Sequence, residues 1–448
     1  MLGKVIQRAR QSLLLRNAGW LFAGQGLSFV AQALSFIVLA RLLRSSEYGL
    51  LSGAVALVTI VSQYGSMGAG QLFMRYVSAD RSQSCHYWGN ALLSVLLTGG
   101  LLVALLWLVG PWLIHRDSLR VLILLALSEC VFVQVTVCAS MVFQTFEKMR
   151  VTATFTLLTS MLRLLFALVM LVRYGHAYAW QWALASLLIS ITVAVVAVVA
   201  VTRRYGIPSF SPSLLLKRSG EGFVFAISGS TTSVYNDLDK VILSHYGMLQ
   251  ANGIYSMAYR VVNIGTMPIL SLVGAAFPRF FQAGVNGAAA VLPMARTLLK
   301  RTLIPGVIVV AGMFLCAPVL PRLAGSSYRE AVDALRWLCL IPVFRCFSLS
   351  AGDALSGAGD QKFRLVCQSA AAVGNCLLNL CLIPRFSWHG AAWASLITDG
   401  ALGLMSWMAL FILAARSKTT AQERNRKHRS DAGVSLREPI SPAIHEGS

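Results

Sequence analysis

Acidic side chains are the scarcest feature of this sequence: 17 Asp and Glu in 448 residues, against 38 Lys and Arg. Charged residues of both signs make up only 12% of the chain, about half the roughly 25% of a soluble globular protein. With 56% of residues apolar and a mean hydropathy of +0.68, too little polar surface remains to keep a soluble fold dispersed. A disordered chain, a collagen and an ordinary cytosolic enzyme are excluded on the same grounds. The 9 cysteines show no C-x-x-C and no paired spacing. That excludes a secreted disulfide scaffold and leaves them as small apolar packing residues. The 7 histidines form no metal-ligand motif, and Walker, G-x-S-x-G and H-E-x-x-H motifs are missing. Hydrolytic or ATP-driven chemistry therefore has no local support, and no metal or cofactor is expected. What is left is a multispanning, all-α membrane protein.

A membrane helix needs about 20 apolar residues to cross about 30 Å of hydrocarbon. Twelve segments qualify: 17–40, 48–70, 89–113, 120–144, 151–172, 178–201, 221–246, 254–277, 300–321, 331–352, 363–384 and 390–415. The first is longer than a signal-peptide core and reads as a retained span. Assigned alternately, one set of flanks, with both termini, holds 25 basic residues and the opposite set holds 8. Basic flanks mark the cytoplasmic side, so both termini are expected in the cytoplasm. Most of the formal +21 charge is thereby a topology signal. Five cations remain inside or at the start of spans: Arg163, Lys240, Arg260, Arg336 and Arg345.

The two halves repeat at an offset of 204. GLLSGAVALVTI at 49–60 faces GIYSMAYRVVNI at 253–264, matching Gly49 with Gly253 and Ser52 with Ser256. The same offset matches Gly70 with Gly274 and Arg75 with Arg279, and after a shift Lys148 and Arg150 face Lys362 and Arg364. A six-plus-six repeat gives both halves the same orientation, related by an axis along the membrane normal, with a cavity between them. The expected divisions are an N-terminal bundle 1–202, a cytoplasmic linker 203–220, a C-terminal bundle 221–415 and a disordered basic tail 416–448. The tail's like charges fit membrane-surface contact or solvation better than nucleic-acid binding.

Three segments carry a family resemblance. They are ARLLRSSEYGLLSGAVALVTIVSQYGSMGAGQLFMRYVS at 40–78, DLDKVILSHYGMLQANGIYSMAYRV at 237–261, and LSGAGDQKFRLVCQSAAAVGNCLLNLCLIPRFSWHGAAWASLI at 355–397. They resemble the multidrug/oligosaccharidyl-lipid/polysaccharide (MOP) exporter superfamily, in particular its Wzx-like polysaccharide flippases. The resemblance covers nearly everything from 14 to 415. It implies a MATE-like fold without covalent catalysis, moving undecaprenyl-pyrophosphate-linked oligosaccharide across a bacterial inner membrane for surface polysaccharide synthesis. The implied partners are that lipid-linked oligosaccharide and membrane lipid; a polysaccharide polymerase and a chain-length regulator are further candidates. MATE-type drug exporters usually carry an acidic residue in the first span, and 17–40 has none. Lipid II flippases usually have fourteen spans. A cation-coupled multidrug exporter of the same fold and a non-transporting assembly scaffold remain as alternatives.

Charges at bilayer centre cost roughly 2.5–3.5 kcal/mol on insertion scales, so they face a wet cavity or one another. Arginine's planar fork suits phosphate. Arg260, in an A-Y-R segment that resembles the eighth span of lipid II flippases, is the first candidate for substrate binding; snorkelling to the interface is the alternative. Arg163 shares a helical face with Thr152, Thr156 and Thr159, and either lines the cavity or pairs with Glu129. Arg345, Lys240 and Asn236 complete the substrate-binding candidates. Asp237, Asp239 and Glu129 are the candidate ion-coupling carboxylates, although Asp237 and Lys240 at i, i+3 suit a structural pair equally well. Arg75 and Arg279, repeat-equivalent, are a cytoplasmic gate or lipid anchors. Asp399 has no partner that the sequence reveals.

Overall fold

The computed structural model describes residues 25–417, apart from 214–218, 224, 228, 232 and 286, together with the backbone of helices that run beyond them. The basic N-terminal residues, Lys217, Arg218, Ser228, Thr232 and the polar tail lie outside the described side chains. The described chain is helical throughout. Its long helices are α1 (Leu2–Ser62), α3 (Ser84–Leu113), α6 (Met149–Tyr174), α7 (Ala179–Tyr205), α8 (Pro212–His245), α9 (Leu249–Gly284), α10 (Ala288–Cys316), α14 (Gln361–Phe386) and α15 (Trp388–Ser435). Shorter pieces complete the order: α2 (Ala69–Val77), α4 (Leu119–Leu127), α5 (Val133–Thr145), α11 (Leu320–Ala324), α12 (Ala331–Leu338) and α13 (Ile341–Gly357).

Ten helical stretches among the described residues are long and apolar enough to cross a membrane. One of them, Gln25–Ser62, holds the first span and most of the second, because α1 breaks direction at Arg44 (φ 59°, ψ 177°). With α8, which covers the seventh apolar segment, the helices reproduce the twelve-span pattern. The outward faces are apolar: Leu101, Trp107, Trp112 and Val172 keep 68–87% of their surface exposed, which only a lipid environment satisfies.

The second span differs from the continuous helix that its hydropathy suggests. It stops at Ser62, turns through 63–68, and restarts as α2 after Gly68, whose φ of 66° is left-handed. A break at membrane depth strands carbonyls, and side chains must meet them. Gln134 donates to the Ser62 carbonyl at 2.9 Å, Thr98 to Gly65 at 2.7 Å and Ser94 to Ser66 at 3.0 Å. Beside the break, Ser128–Phe132 winds as a π-helical turn between α4 and α5, placing the Cys130 carbonyl against Gly65 and Gly99.

The chain divides into two compact units. One comprises Met1–Asn263, Gly312–Cys339 and Ala372–Ser395; Phe73, Trp88, Phe143 and Phe155 belong to its core. The other comprises Ile264–Ala311, Leu340–Ala371 and Leu396–Ser448, built around Ile269, Phe280, Leu355 and Leu410.

Within the first unit the internal repeat meets itself. A Cβ on Gly49 would overlap the carbonyl oxygen of Leu249, and a Cβ on Gly253 would overlap that of Ser45. Position 45 corresponds to 249 and position 49 to 253 at the same offset of 204, so the contact is reciprocal about the pseudo-twofold axis. Two backbones approach this closely only where side chains are missing. The neighbouring residues of the E-Y-G motif, helical in α1 just after its break at Arg44 and not a turn, are equally committed. The Glu47 carboxylate accepts the Ala179 N–H at 2.7 Å, capping the N-terminus of α7 where the helix dipole favours an anion. Tyr48 packs edge-on against Phe36 and Tyr328. Arg41 donates to the carbonyls of Arg322 and Leu323.

Candidate functional site

Three polar loci lie in the first unit. At the first, α8 carries Asp237, Asp239 and Lys240 near its C-terminal end. The Lys240 ammonium lies 2.7 Å from Asp237, 3.6 Å from Asp239 and 2.8 Å from the Asn236 carbonyl, with the Tyr259 ring centred 4.6 Å away. Lys240 and Asp239 are buried; Asp237 keeps 26% of its side chain exposed. Asp239 accepts from the Tyr255 hydroxyl at 2.5 Å, and that oxygen contacts Ser395 at 2.9 Å. Asn252 donates to the carbonyls of Gly49 and Lys240 at 2.9 and 3.1 Å, tying this cluster to the glycine crossing. Two carboxylates share one ammonium.

The second locus joins α6 to the π-turn. Arg163 Nη2 lies 3.1 Å from Glu129, each side chain about one-third exposed at 33% and 31%. Of the alternatives left by the sequence, the structure shows the pair. Arg163 Nε is buried without a hydrogen-bond partner among the described residues, so its fork is only partly used. Thr156 and Thr159 donate to carbonyls one turn back on their own helix, and Ser160 accepts from Gln32 on α1 at 3.3 Å. We expect charge reversal at either member to lower stability by about 1–2 kcal/mol, discounted for partial exposure. The double exchange, Arg163→Glu with Glu129→Arg, should recover most of the loss in thermal unfolding. A double variant as unstable as the worse single one rejects the pair as a stabilising unit.

The third locus is Arg260. Its guanidinium stacks over Phe36 of α1 at 5.3 Å, while the side chain stays exposed and makes no ion pair among the described residues. Helix α9 begins at Leu249, earlier than the hydropathy suggests. Arg260 therefore stands eleven residues in, about 16 Å along the axis of a 36-residue helix.

The remaining candidates separate. Arg75 binds Glu221 at 3.2 Å, and Tyr76 donates to the same carboxylate at 2.9 Å. Its repeat mate Arg279, in the second unit, is exposed and makes no ion pair among the described residues. Arg345 is half-buried in that unit. Asp353, eight residues on, pairs with Arg364 at 3.1 Å, so its partner comes from the first turn of α14. Asp399 is buried and engaged. Nothing local in the sequence singles out Tyr255, Ser395, Asn252 or Glu221; the polar character of the seventh span is the hint that something must face it.

Comparison with known proteins places this geometry. Residues 14–283 match the model of a family described as "polysaccharide biosynthesis protein". No curated protein matches the chain. Among solved structures, the chain is similar to an inward-facing multidrug resistance MATE family transporter of the MOP superfamily. The TM-score is 0.73 at 15% identity, over 88% of this chain and 96% of that one. It is similar to the lipid II flippase MurJ in an inward closed conformation, with a TM-score of 0.68 at 12% identity over 89% and 91%. A MOP superfamily transporter from Pyrococcus furiosus gives 0.58 at 15% over 91% and 96%. At these identities the likeness is one of fold: a MOP-type, multi-pass membrane architecture.

Proposed function

Because the chain belongs to the polysaccharide biosynthesis protein family, we propose that it flips an undecaprenyl-pyrophosphate-linked oligosaccharide from the cytoplasmic to the outer face of a bacterial inner membrane. The observation that carries this reading is Arg260: a cation within a spanning helix, exposed, with its donor fork uncommitted to any acid among the described residues. A guanidinium in that position suits a pyrophosphate, since two planar N–H pairs match phosphate oxygens. The glycan follows the headgroup through the polar interior while the polyprenyl chain stays in lipid. Both termini face the cytoplasm, and the halves 1–202 and 221–415 rock about the repeat axis. Arg163, half used by Glu129, is a second phosphate contact; Arg75 meets the headgroup at the cytoplasmic side. No step makes or breaks a covalent bond.

The Asp237–Asp239–Lys240 cluster fits a proton-coupled cycle. With all three groups ionised it carries one net negative charge, which one bound proton would neutralise. The groups facing it are Tyr255 and Tyr259 from α9 and Ser395 from α15. Asp237→Asn or Asp239→Asn is therefore expected to flatten the dependence of transport on outside pH in membrane vesicles. Unaltered pH dependence in both variants removes the coupling role. Accumulation of lipid-linked glycan on the cytoplasmic side of a deletion strain tests the flippase reading itself; its failure to accumulate rejects it.

A further inference from the structure

A cavity of about 510 Å³ opens where three helix corners of the first unit meet: α8 to α9, α11 to α12, and α14 to α15. Those corners are the flanks that the basic-residue count assigns to the outer side. Its lining includes Gln250, Glu330, Trp388 and His389. It is an open surface depression and not an enclosed pocket.

The composition is not that of an interfacial aromatic belt, whose tryptophans present their rings to headgroups. Trp388 is 5% exposed and lies flat under His389, with ring centroids 3.6 Å apart and planes 21° apart. His389 is therefore held as an exposed, rigid platform, backed again by Trp393 at 6.2 Å. Around it, the side chains of Glu330 and Gln250 are exposed and make no hydrogen bond among the described residues. A flat aromatic surface with an acceptor and an amide at its edge matches a sugar ring. The C–H face packs on the platform, and the hydroxyls donate to the carboxylate and exchange hydrogen bonds with the amide. Glu330 opposes an anionic group, so the pyrophosphate does not belong here.

The cavity also adjoins the glycine crossing. Leu249 lines it, and the carbonyl of that same residue is the one lodged against Gly49. A glycan emerging as the crossing parts would meet this surface next. Building on the flippase reading, we propose that this cavity is an outer saccharide subsite that holds uncharged sugar of the translocated glycan during release.

The test is titration calorimetry on the full chain in lipid nanodiscs. The probe is the oligosaccharide repeat freed from its lipid by mild acid. Binding is expected with wild type and should weaken about tenfold in His389→Ala and in Glu330→Gln, the effect of losing one stacking or charged hydrogen-bonding partner. Both side chains are exposed, so the fold survives; Trp388 is left in place because it is buried. Inorganic pyrophosphate should not displace the probe. No binding to wild type, undiminished binding in both subsite variants, or displacement by pyrophosphate each overturns the proposal. Those outcomes leave the flippase reading standing, since that reading falls on accumulation of lipid-linked glycan and not on affinity for the free repeat.

Discussion

Arg260→Ala is expected to reduce surface polysaccharide by more than about tenfold while the protein still reaches the membrane. The magnitude follows from what the side chain offers. Hydrogen bonds to a charged group contribute about 1.5–3 kcal/mol each, and about 1.4 kcal/mol is a factor of ten; losing one arginine–phosphate contact already reaches that. Arg260 has no acid to neutralise it among the described residues, so removing it leaves no orphaned carboxylate behind. The fold loses only the packing on Phe36. Arg260→Lys keeps the charge and loses the fork, and its output should fall between wild type and alanine. Quantifying surface polysaccharide against membrane-inserted protein checks both. Full output from Arg260→Ala would reject the cavity role and return the residue to a packing function.

Substituting the glycine crossing should have the largest effect on stability. In Gly49→Ala a methyl group overlaps the Leu249 carbonyl oxygen and lies 2.6 Å from the Gly253 amide nitrogen. Both obstacles are backbone, so no side-chain rotation relieves them. Overpacking of this kind typically costs about 1–3 kcal/mol, and more where the neighbours are rigid; a loss of at least about 3 kcal/mol is expected here. The reciprocal geometry requires Gly253→Ala to behave alike. Gly100 supplies the contrast: a Cβ there meets nothing within 4 Å, and Gly100→Ala in the middle of α3 should be neutral or slightly stabilising. Thermal unfolding in detergent ranks the three. Equal midpoints for Gly49→Ala and Gly100→Ala would mean that the crossing carries no packing constraint.

The E-Y-G motif beside this crossing is where the two repeats are fastened to one another. Its three residues hold three different elements: Glu47 the start of α7, Tyr48 the ring of Tyr328, Gly49 the start of α9. The motif is readable in the sequence, but its letters acquire distinct duties only once partners from elsewhere in the chain are in place.

The seventh span shows the same boundary from the other side. The Asp237–Lys240 pair was legible because both members sit one turn apart on a single helix, where periodicity alone decides proximity. The pairing of Arg163 with Glu129 was legible only as one of two options, since it joins different helices. Tyr255 and Ser395, which complete the surroundings of Asp239, were not legible at all; nothing local distinguishes a tyrosine or serine that meets a carboxylate from one that packs. The break at 63–68 was hidden for a related reason. Hydropathy averages over a window, and a span interrupted by a turn has the same average as a continuous one.

By itself, then, the sequence determined the membrane as solvent, the number of crossings, the repeat and the bias of basic charge between the two sides. Each is a property of composition or short-range order. The tertiary structure decided which of the few charges are spent on one another and which are left over. Arg163 meets Glu129 across 34 residues, Tyr255 meets Ser395 across 140, and Arg75 meets Glu221 across 146. In a low-dielectric interior, through-space distance sets the strength of such interactions. Only the folded helices set that distance, and they leave Arg260 over.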